Sequence, residues 1–272
     1  MSVHNILVAF NGSDSAVSAL NYAVSLAKGG AHITALLAHS RHETIDGNAA
    51  WVPEKARKII AQANADILSG IKARFEDLRP QLGLGDRMHF EQVSGRVDAV
   101  LSETARNYDL LVVGNDVADD VDEHVTIHPD RIALMSGRPV LIVPKGFDAD
   151  ARHAHAALVW DGSRASARAL SDSLGLLEDQ GRVTVLTVGD EQTPRPIQDV
   201  MTHLARHNVQ ATHKAIPAEP GIARAIITYC READPCLLVM GVYEHSKFRE
   251  DFLGGVTARV LRDAPIPVLL SH

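Results

Sequence analysis

Two stretches of this chain follow the same order of segments, and this internal repeat constrains the fold more than any other feature. Residues 5–40 read NILVAFNGSDSAVSALNYAVSLAKGGAHITALLAHS, and residues 156–190 read AALVWDGSRASARALSDSLGLLEDQGRVTVLTVGD. Each stretch has an apolar run, a Gly-Ser turn, an amphipathic segment, a glycine and a second apolar run. Two copies of one pattern predict two domains of one fold.

The ends of the two copies also correspond. YDLLVVGN at 108–115 matches DPCLLVMGV at 234–242, and GRPVLIVP at 137–144 matches APIPVLLSH at 264–272. The polar segment KGFDADARHAH, at 145–155, follows a predicted strand and separates the copies. We therefore expect one domain over residues 1–147 and a second over residues 153–272.

Each copy alternates apolar runs with helical patterns, which is typical of α/β folds with a parallel sheet. The sequence predicts two tandem five-stranded parallel sheets with helices on both faces. The predicted strands are 4–10, 31–39, 87–93, 109–114 and 139–143, then 156–160, 182–188, 209–216, 236–241 and 267–271. The predicted helices are 14–28, 54–79, 96–106 and 128–136, then 164–178, 195–207, 221–232 and 255–263.

Composition and charge exclude several classes of protein. The formal net charge of the 272 residues is -7, which argues against a general nucleic-acid binder. No apolar run approaches the roughly 18 residues that a membrane span needs, and MSVHNILVAF lacks the features of a signal peptide. The two cysteines, Cys230 and Cys236, form no CxxC motif and are expected to be reduced thiols of a cytoplasmic protein.

The loop GVYEHSKFREDFLGGVTARVL, at 241–261, carries the features of an anion site. Ligands of open parallel sheets bind beyond the carboxyl ends of the strands, and this loop follows a predicted strand. Gly241 ends that strand, and Gly254 and Gly255 stand where a helix begins. The free N–H groups and the dipole of a helix N-terminus attract phosphate.

Other side chains of this loop could complete the site. Ser246 and Thr257 offer hydroxyl groups, Lys247 offers positive charge, and Asp161 could accept a hydrogen bond from a ribose or an adenine amine. The alternative is a glycine-rich loop that binds nothing. Glu244 favours this alternative because its charge repels phosphate, unless it points to solvent or shares a divalent cation with the phosphates.

Both copies resemble universal stress protein domains, and together they cover nearly the whole chain. Nucleotide-binding members of that family carry the pattern G-x2-G-x9-G-(S/T) after strand four. Gly241 matches its first glycine and Gly254 its third, whereas Glu244 and Gly255 replace its second glycine and its serine or threonine. The resemblance implies a Rossmann-like fold of the adenine nucleotide alpha hydrolase type.

The resemblance also implies an adenine nucleotide pocket in the second copy. Asp161 matches the acidic residue after strand one, and Val159 and Val188 match positions that line the adenine pocket. The expected ligand is ATP or another adenine nucleotide, with Mg²⁺ left open. The binding residues expected are Val159, Trp160, Asp161, Val188, Gly241, Val242, Glu244, Ser246, Lys247, Gly254, Gly255, Val256 and Thr257.

The first copy departs further from the pattern. Asn11 replaces the aspartate, and Thr126 and Ile127 stand where the second copy has Gly254 and Gly255. Its loop, GNDVADDVDEHVTIHPDRIALM at 114–135, is acidic and lacks basic residues before Asp130. Phosphate binding is not expected there. The acidic residues form either a cation or protein-contact site or a solvated loop.

Histidine and serine patterns suggest other chemistry. His203 and His207, and likewise His124 and His128, have the i, i+4 spacing that can begin a zinc site, but no third ligand is visible. His155, beside the interdomain segment, is expected to be solvated. The serines of NGSDS and DGSRA are read as helix N-caps rather than nucleophiles.

The predicted function is a cytoplasmic stress-response protein that binds an adenine nucleotide in its second domain. The alternative is a regulatory or scaffolding module that binds no nucleotide and acts through protein contacts. A slow ATPase is a third hypothesis, for which Glu244, Asp161 and Glu250 are conceivable groups.

The fifth strands, 139–144 and 267–272, are expected to form sheet edges that pair with each other. Domains of the family commonly dimerise through their last strands. We therefore expect an internal pseudo-dimer of the two halves, with a homodimer of chains left open.

Overall fold

The first half of the chain alternates strands and helices as expected. The computed structural model describes residues 3–40, 53–115, 122–149, 155–189, 197–242 and 255–272. The elements of the first half are β1 (Asn5–Ala9), α1 (Asp14–Leu26), β2 (His32–His39), α2 (Glu54–Leu78), β3 (Met88–Ser94), α3 (Val97–Ala105), β4 (Leu110–Gly114), α4 (Pro129–Met135) and β5 (Val140–Val143).

The second half repeats the same order of elements. They are β6 (Ala156–Val159), α5 (Arg164–Gln180), β7 (Arg182–Val188), α6 (Ile197–Arg206), β8 (Gln210–Ile216), α7 (Ile222–Ala233), β9 (Leu237–Gly241), α8 (Val256–Asp263) and β10 (Val268–Ser271). The α/β fold predicted from the sequence is confirmed, element by element.

The ten strands form one continuous sheet in the order β3-β2-β1-β4-β5-β10-β9-β6-β7-β8. Within each half, neighbouring strands are parallel. The halves join where β5 and β10 pair antiparallel, with Leu141 opposite Leu269. The expected pairing of the fifth strands within one chain is therefore present, and it merges the two predicted sheets into one.

Helices cover both faces of this sheet. The helices α1, α2, α5 and α6 pack on one face, which we call the α1/α5 face, and α3, α4, α7 and α8 pack on the other, the α3/α7 face. Strand β4 shows why its apolar run is unbroken: Leu110 and Val112 enter the core of the α1/α5 face, and Leu111 and Val113 that of the α3/α7 face.

The helix starts follow the predicted capping chemistry. The Ser13 Oγ accepts a hydrogen bond of 3.1 Å from Ala16 N at the start of α1, and the Ser163 Oγ accepts one of 3.1 Å from Ser166 N at the start of α5. Both serines therefore act as caps. Across the described residues, none of the helices combines the length and apolar character that a membrane crossing requires.

Candidate functional site

The topology places a crevice at the carboxyl end of β6. Strand β6 lies between β7 and β9. The helix that follows β6 is α5, on the α1/α5 face, whereas the helix that follows β9 is α8, on the α3/α7 face. Such a reversal of strand order is the switch point at which open α/β sheets bind ligands. A ligand of the second half would therefore contact the residues that follow β6, β7 and β9.

Four of the expected residues belong to the apolar core of the α3/α7 face. Val242 is completely buried there, and Val159, Val188 and Val256 are partly buried and pack against it. Val159 and Val188 are the last residues of the adjacent strands β6 and β7, so they are apolar groups at this edge that a base could contact.

Asp161 lies half-buried directly after β6, next to Trp160. Its Oδ1 accepts a hydrogen bond of 2.9 Å from Ser163 N, which holds the carboxylate against the first turn of α5. Burial by itself would raise the pKa of Asp161, but hydrogen bonds from the side chain and backbone of Ser163 and from Ser166 outweigh it and lower the pKa. The side chain is therefore an anionic acceptor at neutral pH.

Gly241 has a packing role that the sequence pattern did not predict. A Cβ at this position would lie 2.4 Å from the carbonyl carbon of Ala165 and 2.6 Å from Ser166 N. Gly114, at the same place in the first half, would meet the carbonyl carbon of Ser15 at 2.4 Å. Both glycines therefore let the first turn of a helix approach the sheet, rather than making room for a ligand.

Gly255 differs from Gly241 because a Cβ on it would meet no described atom within 4 Å. It is the N-cap residue of α8, with φ -74 and ψ -179, and no side chain of the described residues caps the helix there. Residues 243–254, which precede it, lie outside the described part of the chain. The free N–H groups of a helix N-terminus attract anions. Thr257, in the first turn, is buried, with 6% of its surface exposed.

Nine of the expected residues lie at or just after the carboxyl ends of β6, β7 and β9 or in the first turn of α8. The other four, Glu244, Ser246, Lys247 and Gly254, lie outside the described residues. The positively charged part of the predicted loop is among them.

The corresponding edge of the first half is covered by the chain itself. A short 3-10 turn, Glu123–Val125, lies against the carboxyl ends of β1 and β2. The Asn11 Nδ2 donates to the Val125 carbonyl at 3.3 Å, and the Ser40 N–H donates to the His124 carbonyl at 2.8 Å. Val125 is buried in the core, so the turn is held firmly at the carboxyl edge of the first half.

The histidine pairs have separate partners. The His124 Nδ1 lies 2.9 Å from Ser40 Oγ, whereas the His128 Nδ1 lies 3.0 Å from Asp98 Oδ2. In the second half, His207 lies 2.8 Å from Glu178 Oε1. Within the part of the chain that the structure describes, no three His, Cys, Asp or Glu side chains converge as a metal site would require.

A family model agrees with this architecture. The model described as the universal stress protein family matches residues 2–144 and 202–272. The chain belongs to the universal stress protein family. Its two matched segments fall in the two structural halves, so the universal stress protein pattern occurs in tandem, as the repeat predicted.

Individual universal stress proteins resemble the chain over its full length. It is 26% identical to the universal stress protein Slr1230 of Synechocystis over 291 residues, which cover 97% of this chain and 98% of that protein. A universal stress protein from Archaeoglobus fulgidus superposes with a TM-score of 0.69 at 14% identity, covering 98% of this chain and 95% of its own.

A functionally unknown protein from Pseudomonas aeruginosa shares the fold with a TM-score of 0.55 at 15% identity, covering 99% of this chain and 92% of its own. Together with the Archaeoglobus structure, it shows that the fold of this chain recurs at low sequence identity.

Sequence reasoning missed the turn that covers the first-half edge. The signal was present in EHVTI, where Val125 and Ile127 are apolar residues inside an otherwise acidic loop. Both are buried, Val125 in the core of the α1/α5 face and Ile127 in that of the α3/α7 face. Their burial accounts for these two apolar residues in the loop.

Proposed function

We propose that this tandem universal stress protein binds an adenine nucleotide, ATP in the first instance, at one site per chain in its second half. The contrast between the two halves carries this proposal. The Glu123–Val125 turn covers the carboxyl edge of the first half and is bonded to Asn11. In the second half Asp161 takes the place of Asn11, and its carboxylate accepts a hydrogen bond from Ser163 N. The residues that correspond to the turn, 251–253, lie outside the described part of the chain.

The chemistry of these residues matches the parts of a nucleotide. Val159 and Val188, at the ends of β6 and β7, can contact a base, the Asp161 carboxylate can accept hydrogen bonds from ribose hydroxyls or an exocyclic amine, and the α8 N-terminus attracts phosphate. The resemblance to nucleotide-binding members at Asp161, Val159 and Val188 points to the same ligand. Because Asp161 is held in the first turn of α5, we assign it a binding role rather than a catalytic one.

The proposed setting is the cytoplasm, in a stress response. Cys230 and Cys236 are both free and buried, which suits a reducing compartment. Each half is proposed to be a domain, over residues 1–147 and 153–272, with the second as the nucleotide-binding unit. A homodimer of the whole chain is compatible with this arrangement and is not required by it.

The variant Gly255→Val tests the proposal directly. A Cβ on Gly255 would meet no described atom within 4 Å and the residue has a negative φ, so the variant should fold normally. The added side chain would occupy the position that a phosphate must approach, so ATP affinity in calorimetry should fall about tenfold or more. The matched control is Gly70→Val on α2 in the first half, where a Cβ also meets nothing within 4 Å.

Two results would overturn the proposal. Undiminished ATP binding by Gly255→Val would mean that the α8 N-terminus is not the phosphate site. Absence of ATP, ADP and AMP binding in the unmodified chain would favour the alternative function, in which the protein works through protein contacts.

A further inference from the structure

A cavity of about 600 Å³ opens at the amino-terminal edge of the second half, opposite the proposed nucleotide site. Strand β7 separates the two edges, and its seven residues span roughly 20 Å. The cavity lies within the range of volumes typical of small-molecule sites. Its lining residues are His155, Arg182, Val183, Thr184, Gln210, Ala211, Thr212, Ala233 and Asp234.

Strand register aligns the polar residues of this cavity on one face of the sheet. Arg182 pairs with Gln210, and Thr184 pairs with Thr212, so the side chains of all four alternate to the same side. The Thr184 Oγ1 lies 2.8 Å from the His155 Nε2 and 3.3 Å from the Thr212 Oγ1. The floor of the cavity is therefore a chain of hydroxyl groups that ends on an imidazole.

His155 is more enclosed than its place beside the interdomain segment suggested. It is half-buried, and its carbonyl accepts hydrogen bonds from Cys236 N at 2.9 Å and from Cys236 Sγ at 3.2 Å. The expectation of a solvated His155 was wrong because β9 and the Thr184 hydroxyl hold it against the sheet.

The charges around the imidazole favour an anion. Burial lowers the pKa of His155, and the positive charge of Arg182 lowers it further. A negative group bound near both would relieve their repulsion and favour the imidazolium. The Arg182 guanidinium offers the planar donor pair that suits phosphate. Asp234 also lines the cavity and can accept hydrogen bonds from ligand hydroxyls.

The first half places different chemistry at the same positions. Asn5 corresponds to His155 and donates from its side chain to the Asn107 carbonyl at 3.4 Å. His32 and His89 correspond to Arg182 and Thr212, and their rings stack with centroids 6.1 Å apart. Thr34 occupies the position of Thr184, so the second copy differs from the first in having His155, Arg182 and Thr212 around this threonine.

We propose that this cavity binds a small phosphorylated polyol, such as a sugar phosphate. Arg182 and His155 hold the phosphate, and Thr212, Gln210 and Asp234 bind the hydroxyl groups. The site is separate from the nucleotide site in position and in the residues that form it.

The test is a titration of the His155 imidazole by NMR in the full-length protein, with and without glucose 6-phosphate. Bound glucose 6-phosphate should raise the pKa of His155 by roughly one unit, because an anion stabilises the imidazolium. Glucose should leave this pKa unchanged, and inorganic phosphate should bind more weakly than glucose 6-phosphate. Arg182→Gln should weaken glucose 6-phosphate binding about tenfold or more.

The matched control is Arg168→Gln, which removes the same charge from α5 on the opposite face of the sheet. It should bind glucose 6-phosphate as the unmodified chain does. An unchanged His155 pKa, equal binding of inorganic phosphate, or normal binding by Arg182→Gln would each overturn the assignment. Loss of glucose 6-phosphate binding in Gly255→Val would also overturn it, because the ligand would then occupy the nucleotide site.

Discussion

Individual glycines in this chain differ in whether a side chain would fit at their position, although the sequence alone does not distinguish them. Gly114 and Gly241 touch the first turns of α1 and α5, whereas a Cβ on Gly255 would meet no described atom within 4 Å. The sequence predicts that glycine is needed at the end of β9. It does not show whether a helix or a ligand makes the close approach, because that depends on how α5 packs.

Replacing these glycines by alanine should separate the two roles. Gly114→Ala and Gly241→Ala should each lower the free energy of unfolding by about 1–3 kcal/mol, because backbone atoms of a helix must move away from the new Cβ. Gly255→Ala should change it little. Urea unfolding of the three variants measures this, and equal stability of all three would contradict the packing role of Gly241.

Asp161 should make stability depend on pH. Its pKa is lower in the folded chain than in an unfolded one, so its contribution is full above the unfolded pKa and is lost as pH falls through the folded pKa. Between pH 6 and pH 3 the unmodified chain should therefore lose more stability than Asp161→Asn. Denaturant unfolding at both pH values measures the difference. An equal loss in both proteins would mean that the Ser163 and Ser166 hydrogen bonds do not hold the carboxylate.

At the scale of elements, a short turn distinguishes the two halves. Asn11 accepts from Ser13 N at 3.1 Å, as Asp161 accepts from Ser163 N, but its amide also donates to the Val125 carbonyl. This bond joins residues 114 positions apart. Local pattern could predict the strand, the cap and the helix around Asn11, but not a contact of such long range.

Restoring the acidic residue in the first half should therefore not restore a site. Asn11→Asp removes the donor to Val125 and leaves a buried carboxylate facing a carbonyl, which should cost about 1–3 kcal/mol of stability. The number of ATP molecules bound per chain, measured by calorimetry, should stay unchanged in Asn11→Asp. The reciprocal variant Asp161→Asn is the comparison. A second ATP site in Asn11→Asp would show that the Glu123–Val125 turn does not block the first half.

The strands and helices themselves were predictable almost to the residue. Buried parallel strands such as β4 appear as unbroken apolar runs, and Ser13, Ser163 and Pro129 mark helix starts through chemistry that is local in sequence. The helix α1 ends at Leu26, earlier than expected, because a 3-10 turn over Ala27–Gly29 completes it.

At the scale of the whole molecule, β5 and β10 make the two halves one sheet. The resemblance to domains that pair their last strands indicated this junction, but sequence could not decide between pairing within a chain and pairing between chains. The structure places Leu141 opposite Leu269 within one chain, and both are completely buried. Because β5 and β10 are antiparallel, the carboxyl ends of the first-half strands and those of the second-half strands lie at opposite edges of the continuous sheet.

A double-mutant cycle can measure the junction. Leu141→Ala and Leu269→Ala should each lower the free energy of unfolding by about 2–5 kcal/mol. In the double variant the loss should differ from the sum of the two single losses by at least about 0.5 kcal/mol, because the two side chains are cross-strand partners. Leu20→Ala with Leu204→Ala should be additive, since α1 packs over β1 and β4 and α6 over β8. Strict additivity of the first pair in urea unfolding would contradict the junction.

The central claim is that the two halves have diverged, one into a covered edge and the other into a nucleotide site. Native mass spectrometry of the gently purified chain, with ATP added at increasing concentration, measures the number of nucleotides on each chain. The account predicts that binding saturates at one adenine nucleotide per chain. Two equivalent nucleotides per chain, or none at saturating ATP, would contradict it.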